Sequence, residues 1–203
     1  LYGHYLVDDE GVPSRRVHLV KDGVLVDFLL SRTTAGDSNR SNGHGRNATF
    51  EDPMARMANL IVEGAEPRPW EALKEALLEE LRARGLGYGL IIRDVEGGET
   101  STSSYDFQAF KGVPTEVYKV DARTGRETRV RGVEYIGTPL TSLQRILAVG
   151  EGYHVDNSYC VAESGAVPVS TIAPPVLVSQ IELQRASGQM YLPPILPAPW
   201  RRR

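Results

Sequence analysis

The sequence predicts an α+β fold: a largely antiparallel β-sheet with one main amphipathic helix over about residues 70–84 and one short helix over about residues 141–148. Two observations lead to this class. Short strand-like runs separated by turn residues recur along most of the 203-residue chain. The regular alternation of strands with helices that accompanies parallel sheets does not occur in the sequence.

The first predicted element is a β-hairpin near the amino end. Two strand-like runs, 17–21 and 24–29, flank Asp22-Gly23, a pair that tolerates the positive φ angles of a two-residue hairpin turn. The segment 31–50 that follows is a polar, glycine-rich loop, and loops of that length are usually functional or disordered. Residues 58–63 then have the apolar character of a buried strand.

The main helix is predicted from the spacing of its apolar residues. Pro67 and Pro69 precede it, where a missing backbone N–H does no harm, and Gly85 ends it. The apolar residues recur at intervals of three and four and therefore share one face: Trp70, Leu73, Leu77 and Leu81. We expect this face to pack on a sheet and the helix to have no chemical role.

The remainder of the chain is predicted to be mostly strands. Those after the main helix cover 88–95, 105–113, 115–121 and 127–136, and the last two form a hairpin. The short helix opens at Pro139 and is stopped by Gly150. Two final strands are predicted over 167–172 and 176–183.

Charge and composition exclude several functional classes. The net charge of −3 gives no field that attracts nucleic acid or an anionic membrane, so we expect neither as a partner. The apolar runs are far too short to span a bilayer. The single cysteine excludes an internal disulfide and fits a reducing compartment, so a cytoplasmic location is expected. The terminal Arg201-Arg202-Arg203 is expected to be a solvated end.

The amino end predicts that the chain begins partway through a longer protein. Residues 1–7 read as the middle of a strand, without an initiator Met and without the cationic region of a signal peptide. Established catalytic motifs do not help, because the sequence has no His-Glu-x-x-His, Cys-x-x-Cys, Gly-x-Ser-x-Gly or phosphate-binding loop.

Two polar clusters near the amino end can each be interpreted in two ways. The triplet Asp8-Asp9-Glu10 has the carboxylates that hard cations prefer, but a turn whose charges are offset by Arg15 and Arg16 is favoured. In the 31–50 loop, glycines on both sides of His44 would allow its imidazole and the Arg46 guanidinium to face a ligand. A solvated loop is the alternative.

The other histidines and the cysteine carry weaker signals. His4 and His18 are expected to be sheet residues. His154 lies six residues before Cys160, a spacing that a metal site could use but that is not specific. Taken alone, Cys160 is more typical of a small buried hydrophobic residue than of a metal ligand.

Several short segments, spread in order along the chain, form a more specific combination. They are Asp8–Arg16, Asp22–Leu25, Ser41–Arg46, Pro53 with Arg56–Asn59, Asp156-Asn157 with Cys160, Gly165–Ser170, Ala173–Pro175 and Leu192–Pro197. Together they resemble the carboxyl-terminal domain of the TldD/PmbA family, once called modulators of DNA gyrase. The resemblance covers almost the whole chain, so residues 1–203 are expected to form one such domain.

The resemblance implies a zinc-dependent peptidase of the TldD-like branch. In that branch an upstream helix, outside this sequence, carries His-Glu-x-x-x-His, whose histidines bind zinc and whose Glu is the general base. Cys160 matches the cysteine that completes the protein ligands. No catalytic residue lies in this chain, which alone should be inactive and should not bind zinc. Asn42, Gly43, His44 and Arg46 match the glycine-rich stretch of the family and are candidates for substrate binding or site support.

The resemblance also implies partners and an alternative function. Family members act on unfolded or modified peptides, as homodimers or as heterodimers with a PmbA-like subunit. The alternative is a non-catalytic, PmbA-like scaffold subunit in which Cys160 is incidental. An independent module that binds small molecules through the 31–50 loop is a third, less favoured reading. Ala166 departs from the family pattern, in which many members carry Gln at this position.

Overall fold

The structure is a computed structural model that describes residues 1–33, 40–101 and 109–186. The described chain divides into two compact units. The first comprises Leu1–Pro67 and Val149–Pro175, and the second comprises 68–148 together with the residues from 176 onward.

The described residues form 14 strands and two helices, and both helices lie in the second unit. In chain order they are β1 (Val20–Lys21), β2 (Val24–Leu25), β3 (Gly45–Arg46), β4 (Met54–Ala55), β5 (Asn59–Ile61), α1 (Trp70–Ala83), β6 (Tyr88–Ser101), β7 (Ala109–Asp121), β8 (Glu127–Val130), β9 (Val133–Gly137), α2 (Pro139–Gln144), β10 (Ile146–Val149), β11 (His154–Ala162), β12 (Gly165–Ala173), β13 (Val176–Val178) and β14 (Glu182–Arg185).

The first unit is organised around the antiparallel hairpin of β11 and β12. Both strands are nine residues long, and their register pairs Cys160 with Val167. On its other side β12 pairs in parallel with β5, which leaves β11 at the edge of this three-stranded sheet. Val167 and Val169 are almost completely buried and form the core beneath the hairpin.

The second unit is an antiparallel sheet in the order β14-β9-β7-β6, with β8 pairing to β7. Val117 and Val120 of β7 are buried, and Leu73 and Leu81 bury the apolar face of α1. The helix packs against β6, because the Cδ atoms of Leu81 lie where a side chain at Gly89 would be. β10 and β13 form a separate two-stranded ladder.

The predicted α+β class is confirmed, with antiparallel pairing between most strands. The main helix is confirmed as Trp70–Ala83, one residue shorter than predicted. The short helix ends at Gln144 instead of extending to 148. The apolar run that follows it forms β10, because a short apolar run at this position suits a strand as well as a helix.

The strand predictions were partly wrong. The Asp22-Gly23 turn is confirmed by φ angles of 51° and 78°, but its ladder has only two residues on each side. The predicted buried strand at 58–63 is β5, in which Ile61 is 51% exposed. Residues 127–136 form two strands, β8 and β9, where one was predicted. The predicted strand at 176–183 is likewise divided into β13 and β14, the second of which extends to Arg185.

Two further differences concern long strands. β7 runs unbroken through Pro114, where two separate strands were predicted, and the predicted strand residues 105–108 lie outside the described part of the chain. β11 was not predicted at all.

His4 and His18 lie outside the strands, so their assignment as sheet residues was wrong. Within the described residues, neither helix is long and apolar enough to cross a membrane.

Candidate functional site

The acidic triplet at 8–10 forms a turn in the first unit. Oδ1 of Asp8 accepts hydrogen bonds from the backbone N–H groups of Glu10 (3.0 Å) and Val12 (2.8 Å). Oδ2 of Asp8 accepts a 2.9 Å bond from the N–H of Gly45, at the start of β3. The buried Asp8 carboxylate therefore organises its own turn and holds the glycine-rich loop against it.

The other two carboxylates of the triplet also bind backbone N–H groups. Asp9 accepts a bond from the N–H of Asn47 (2.9 Å), and Glu10 accepts one from the N–H of Arg32 (2.6 Å). The predicted turn is confirmed. Its negative charges are not offset mainly by arginine, as was expected, because Arg16 instead lies 3.7 Å from Glu63. The three acidic side chains position the loop rather than gathering around a cation.

Asn42 and Gly43 hold the backbone of the loop in place. The Asn42 amide accepts a bond from the N–H of Leu30 (2.8 Å) and donates one to the carbonyl of Phe28 (2.8 Å). Gly43 has a φ of +80°, and a Cβ there would collide with the carbonyl oxygen of Pro13. Both residues therefore hold the backbone of this loop in place.

His44 points inward and is 7% exposed. Its Nδ1 lies 3.2 Å from the backbone carbonyl of Asn42 and 3.0 Å from the Asn42 Oδ1. Because a carbonyl oxygen can only accept, Nδ1 carries the proton and the neutral ring has its lone pair on Nε2. Burial lowers the pKa of His44, and the backbone hydrogen bond to Asn42 opposes that effect in part. The His44 side chain is therefore not solvated.

Arg46 is also buried, and it connects the loop to the β11–β12 hairpin. Its Nη1 donates to the carbonyls of Met57 (2.8 Å) and Pro168 (2.9 Å), the latter within β12. The guanidinium lies 4.8 Å from the centre of the Tyr5 ring, whose hydroxyl donates to the Gly43 carbonyl. Burial lowers the pKa of Arg46, and the nearby Asp9 carboxylate opposes that effect in part. Burial likewise raises the pKa of Tyr5.

Cys160 lies on the edge strand β11 and is a free, half-buried thiol. Residues paired directly across an antiparallel ladder share a face, so the Cys160 side chain lies on the same face as the buried Val167. It is nevertheless not sealed in the core. His154 begins the same strand, and six residues of extended chain place it about 20 Å away, too far to share a metal ion.

The structure thus brings every predicted site residue into one unit: Asn42, Gly43, His44, Arg46 and Cys160. The sequence reading missed three residues that hold them there, namely Tyr5, Arg56 and Ser164. Arg56 lies in a segment that carried the family resemblance, but nothing local in the sequence distinguishes a buried arginine from an exposed one. Its partners are more than a hundred positions further along the chain.

Comparison with known proteins gives the family. Residues 1–185 match the family described as the PmbA/TldA metallopeptidase C-terminal domain. The chain therefore belongs to the TldD/PmbA family and is a carboxyl-terminal domain of that family.

Individual relatives agree with this assignment. A metalloprotease of Methanocaldococcus jannaschii is 30% identical over 83% of this chain and 34% of its own length. A protein named zinc metalloprotease TldD homolog, from Saccharolobus solfataricus, is 25% identical over 87% of this chain and 37% of its own. The chain thus spans about a third of the length of these curated relatives.

A solved structure supports the fold. TldE from Thermococcus kodakarensis superimposes with a TM-score of 0.51 at 16% identity, over 85% of this chain and 34% of that one. At this identity the similarity concerns the fold alone.

The residues of this chain can supply a ligand to a zinc ion, but they do not form a complete zinc site. A half-buried free thiol on an ordered strand is a suitable soft donor for zinc. Among residues 1–33, 40–101 and 109–186, however, no three His, Cys, Asp or Glu side chains are grouped so as to hold a metal. A site that uses Cys160 therefore needs donors from outside the described residues.

Proposed function

We propose that residues 1–203 are the carboxyl-terminal domain of a zinc-dependent peptidase of the TldD-like branch. In this proposal Cys160 supplies one zinc ligand, and histidines of the rest of the protein supply the others. The observation that carries the proposal is the free, half-buried Cys160 thiol, held in the same unit as the loop that matches the family's glycine-rich stretch. The names of the relatives, metalloprotease and zinc metalloprotease, support the same activity.

The chemistry assigned to this chain is limited to binding and orientation. When bound, zinc lowers the pKa of a coordinated water toward neutrality and polarises a carbonyl oxygen. Cys160 must lose its thiol proton in order to bind as a thiolate. Since β11 is held to β12 along its whole length, the backbone at Cys160 is ordered before any ligand arrives.

The substrate is proposed to be an unfolded or modified peptide bound in extended form. β11 pairs only with β12 among the described strands, so its outer edge offers free backbone groups to an added strand. Such a peptide would run beside Cys160. The neutral His44, with its lone pair on Nε2, is suited to accept one hydrogen bond from a peptide N–H.

The assembly and location of the complete protein are part of the proposal. We propose a cytoplasmic homodimer or a heterodimer with a PmbA-like subunit, as the family resemblance implies. Nucleic acid and membranes are not proposed as partners, because the chain has a net charge of only −3.

The test uses the complete protein encoded by the parent gene. We expect hydrolysis of an unfolded peptide that stops when a chelator removes zinc and returns when zinc is added back. Cys160→Ser should abolish it, whereas Val161→Ala, on the opposite and 75% exposed face of the same strand, should retain it. Full zinc-dependent activity in Cys160→Ser would remove Cys160 from the mechanism. A protein that binds a peptidase subunit but neither zinc nor peptide would instead be the PmbA-like scaffold.

A further inference from the structure

Arg56 is a buried cation whose partners in the described chain are all uncharged. It is 4% exposed, and its Nη1 donates to the hydroxyl of Ser164 (2.7 Å) and to the carbonyl of Gly165 (2.9 Å). Its Nη2 donates to the carbonyl of Cys160. None of the ion pairs found among the described residues includes it. Burial of a guanidinium without a counter-ion is costly, which indicates a role beyond filling space.

The acceptors of Arg56 enclose the turn of the β11–β12 hairpin. Cys160 lies near the end of β11, Ser164 in the turn, and Gly165 at the start of β12. The guanidinium is planar and presents its donors in a rigid fork, so these bonds fix the three acceptors relative to one another. Because the Cys160 carbonyl is held, the direction of the Cα–Cβ bond of the same residue is held with it.

The same network reaches the glycine-rich loop. The N–H of Arg56 donates to the carbonyl of His44 (2.9 Å). The Ser164 hydroxyl donates to the carbonyl of Arg46 (3.0 Å), and the Ser164 carbonyl accepts a bond from the N–H of Ala48 (2.8 Å). Arg56 and Ser164 therefore join the strand that carries the thiol to the loop that carries His44 and Arg46.

We propose that Arg56 is a positioning residue that sets the Cys160 sulfur, relative to the loop at 42–46, in the geometry that zinc binding needs. Ser164 is its main side-chain partner in this role. The inference rests on the proposed function, because it assumes that Cys160 is a zinc ligand. Arg56 itself touches neither zinc nor substrate.

The test measures zinc binding by the complete protein rather than its activity. Arg56→Lys keeps the charge and loses the fork, and Ser164→Ala removes one acceptor with a smaller change in volume. Zinc affinity is measured by competition with a chelator. The near-ultraviolet charge-transfer absorption from thiolate to cobalt, in the cobalt-substituted protein, reports the sulfur–metal bond directly. Arg16→Lys, at a 70% exposed side chain of the same unit, is the matched control.

We expect both Arg56→Lys and Ser164→Ala to weaken zinc binding by about tenfold or more, as loss of outer hydrogen bonds to metal ligands commonly does. The charge-transfer absorption per bound cobalt should fall in both, while Arg16→Lys stays at the wild-type values. If Arg56→Lys does not fold, Ser164→Ala alone decides. Wild-type affinity and absorption in a folded variant would overturn the inference.

Cys160→Ser in the same assay distinguishes a failure of the positioning role of Arg56 from a failure of the proposed function. If it loses the cobalt absorption while the Arg56 and Ser164 variants keep theirs, the positioning role is wrong and the zinc ligand stands. If Cys160→Ser also leaves zinc affinity and absorption unchanged, the proposed function itself is wrong.

Discussion

The position of Gly43 places two constraints on the residue that occupies it, and both favour glycine. Its φ is +80°, and a Cβ at this position would meet the Pro13 carbonyl oxygen. The left-handed conformation alone costs an L-residue about 1–2 kcal/mol. We expect Gly43→Ala to lower the free energy of unfolding by more than about 2 kcal/mol, because strain and collision act together. Denaturant unfolding of the complete protein measures this difference.

Gly11 provides a control with the same backbone conformation. Its φ is also +80°, but a Cβ there would meet nothing within 4 Å. Gly11→Ala should therefore show the cost of backbone strain without the collision. An equal loss of stability in the two variants would contradict the close packing of the glycine-rich loop against Pro13.

His44 should make the stability of the protein depend on pH. Burial lowers its pKa below the ordinary value of 6.5, so the unfolded chain binds the proton first as the pH falls. The stability that results is complete above about pH 6.5 and is lost as the pH falls through the lowered pKa. We expect His44→Gln to flatten this part of the unfolding free-energy profile, and an NMR titration should place the imidazole pKa below 6.5.

The exposed His154 on β11 supplies the comparison for this experiment. His154→Gln makes the same substitution at another position and controls for the change of residue type. A wild-type slope in His44→Gln would mean that the His44 ring is not buried in its neutral form.

The sequence located these residues but did not reveal their surroundings. Asn42, Gly43, His44 and Arg46 stood out because of the family resemblance and the glycines around them. That His44 and Arg46 are buried could not be read from their neighbours. Arg46 is held by Pro168, 122 positions away, and Arg56 by the Cys160 carbonyl, 104 positions away. Contacts of this separation exist only once the chain has folded.

Among the helices and strands, the sequence predicts best those that are encoded by residues close together in the chain. α1 is encoded by a spacing of apolar residues that is complete within 14 residues. β11 is different, because its Asp156-Asn157-Ser158 stretch has poor strand propensity and only its register with β12 makes it a strand. The strand that carries the thiol is therefore among those that the sequence did not predict.

The helix offers a direct test of its packing. Leu81 on α1 is 5% exposed and lies against β6 at Gly89. Deletion of a buried leucine side chain leaves a cavity and costs about 2–5 kcal/mol. We expect Leu81→Ala to lose stability in that range when unfolding is followed by denaturant titration.

Leu143 on α2 is the matched position, since its side chain is 65% exposed. Leu143→Ala should change the free energy of unfolding by less than about 0.5 kcal/mol. Similar losses for the two leucines would show that the apolar face of α1 is not buried as described.

For the molecule as a whole, the resemblance to the TldD/PmbA family was the strongest sequence prediction, and the match over residues 1–185 confirms it. The zinc ligand stays a prediction. One thiol in the described chain cannot form a zinc site without donors from elsewhere, and this chain spans about a third of the relatives it matches. The central claim therefore concerns the complete protein: one sulfur atom, from Cys160, binds its zinc.

X-ray absorption at the zinc edge of the complete, zinc-loaded protein tests this claim most directly. We expect the wild-type spectrum to contain one sulfur ligand at about 2.3 Å beside nitrogen or oxygen ligands at about 2.0–2.1 Å. In Cys160→Ser the sulfur contribution should disappear. A wild-type spectrum with nitrogen and oxygen ligands only, or a sulfur ligand that persists in Cys160→Ser, would contradict the assignment of Cys160 to the metal.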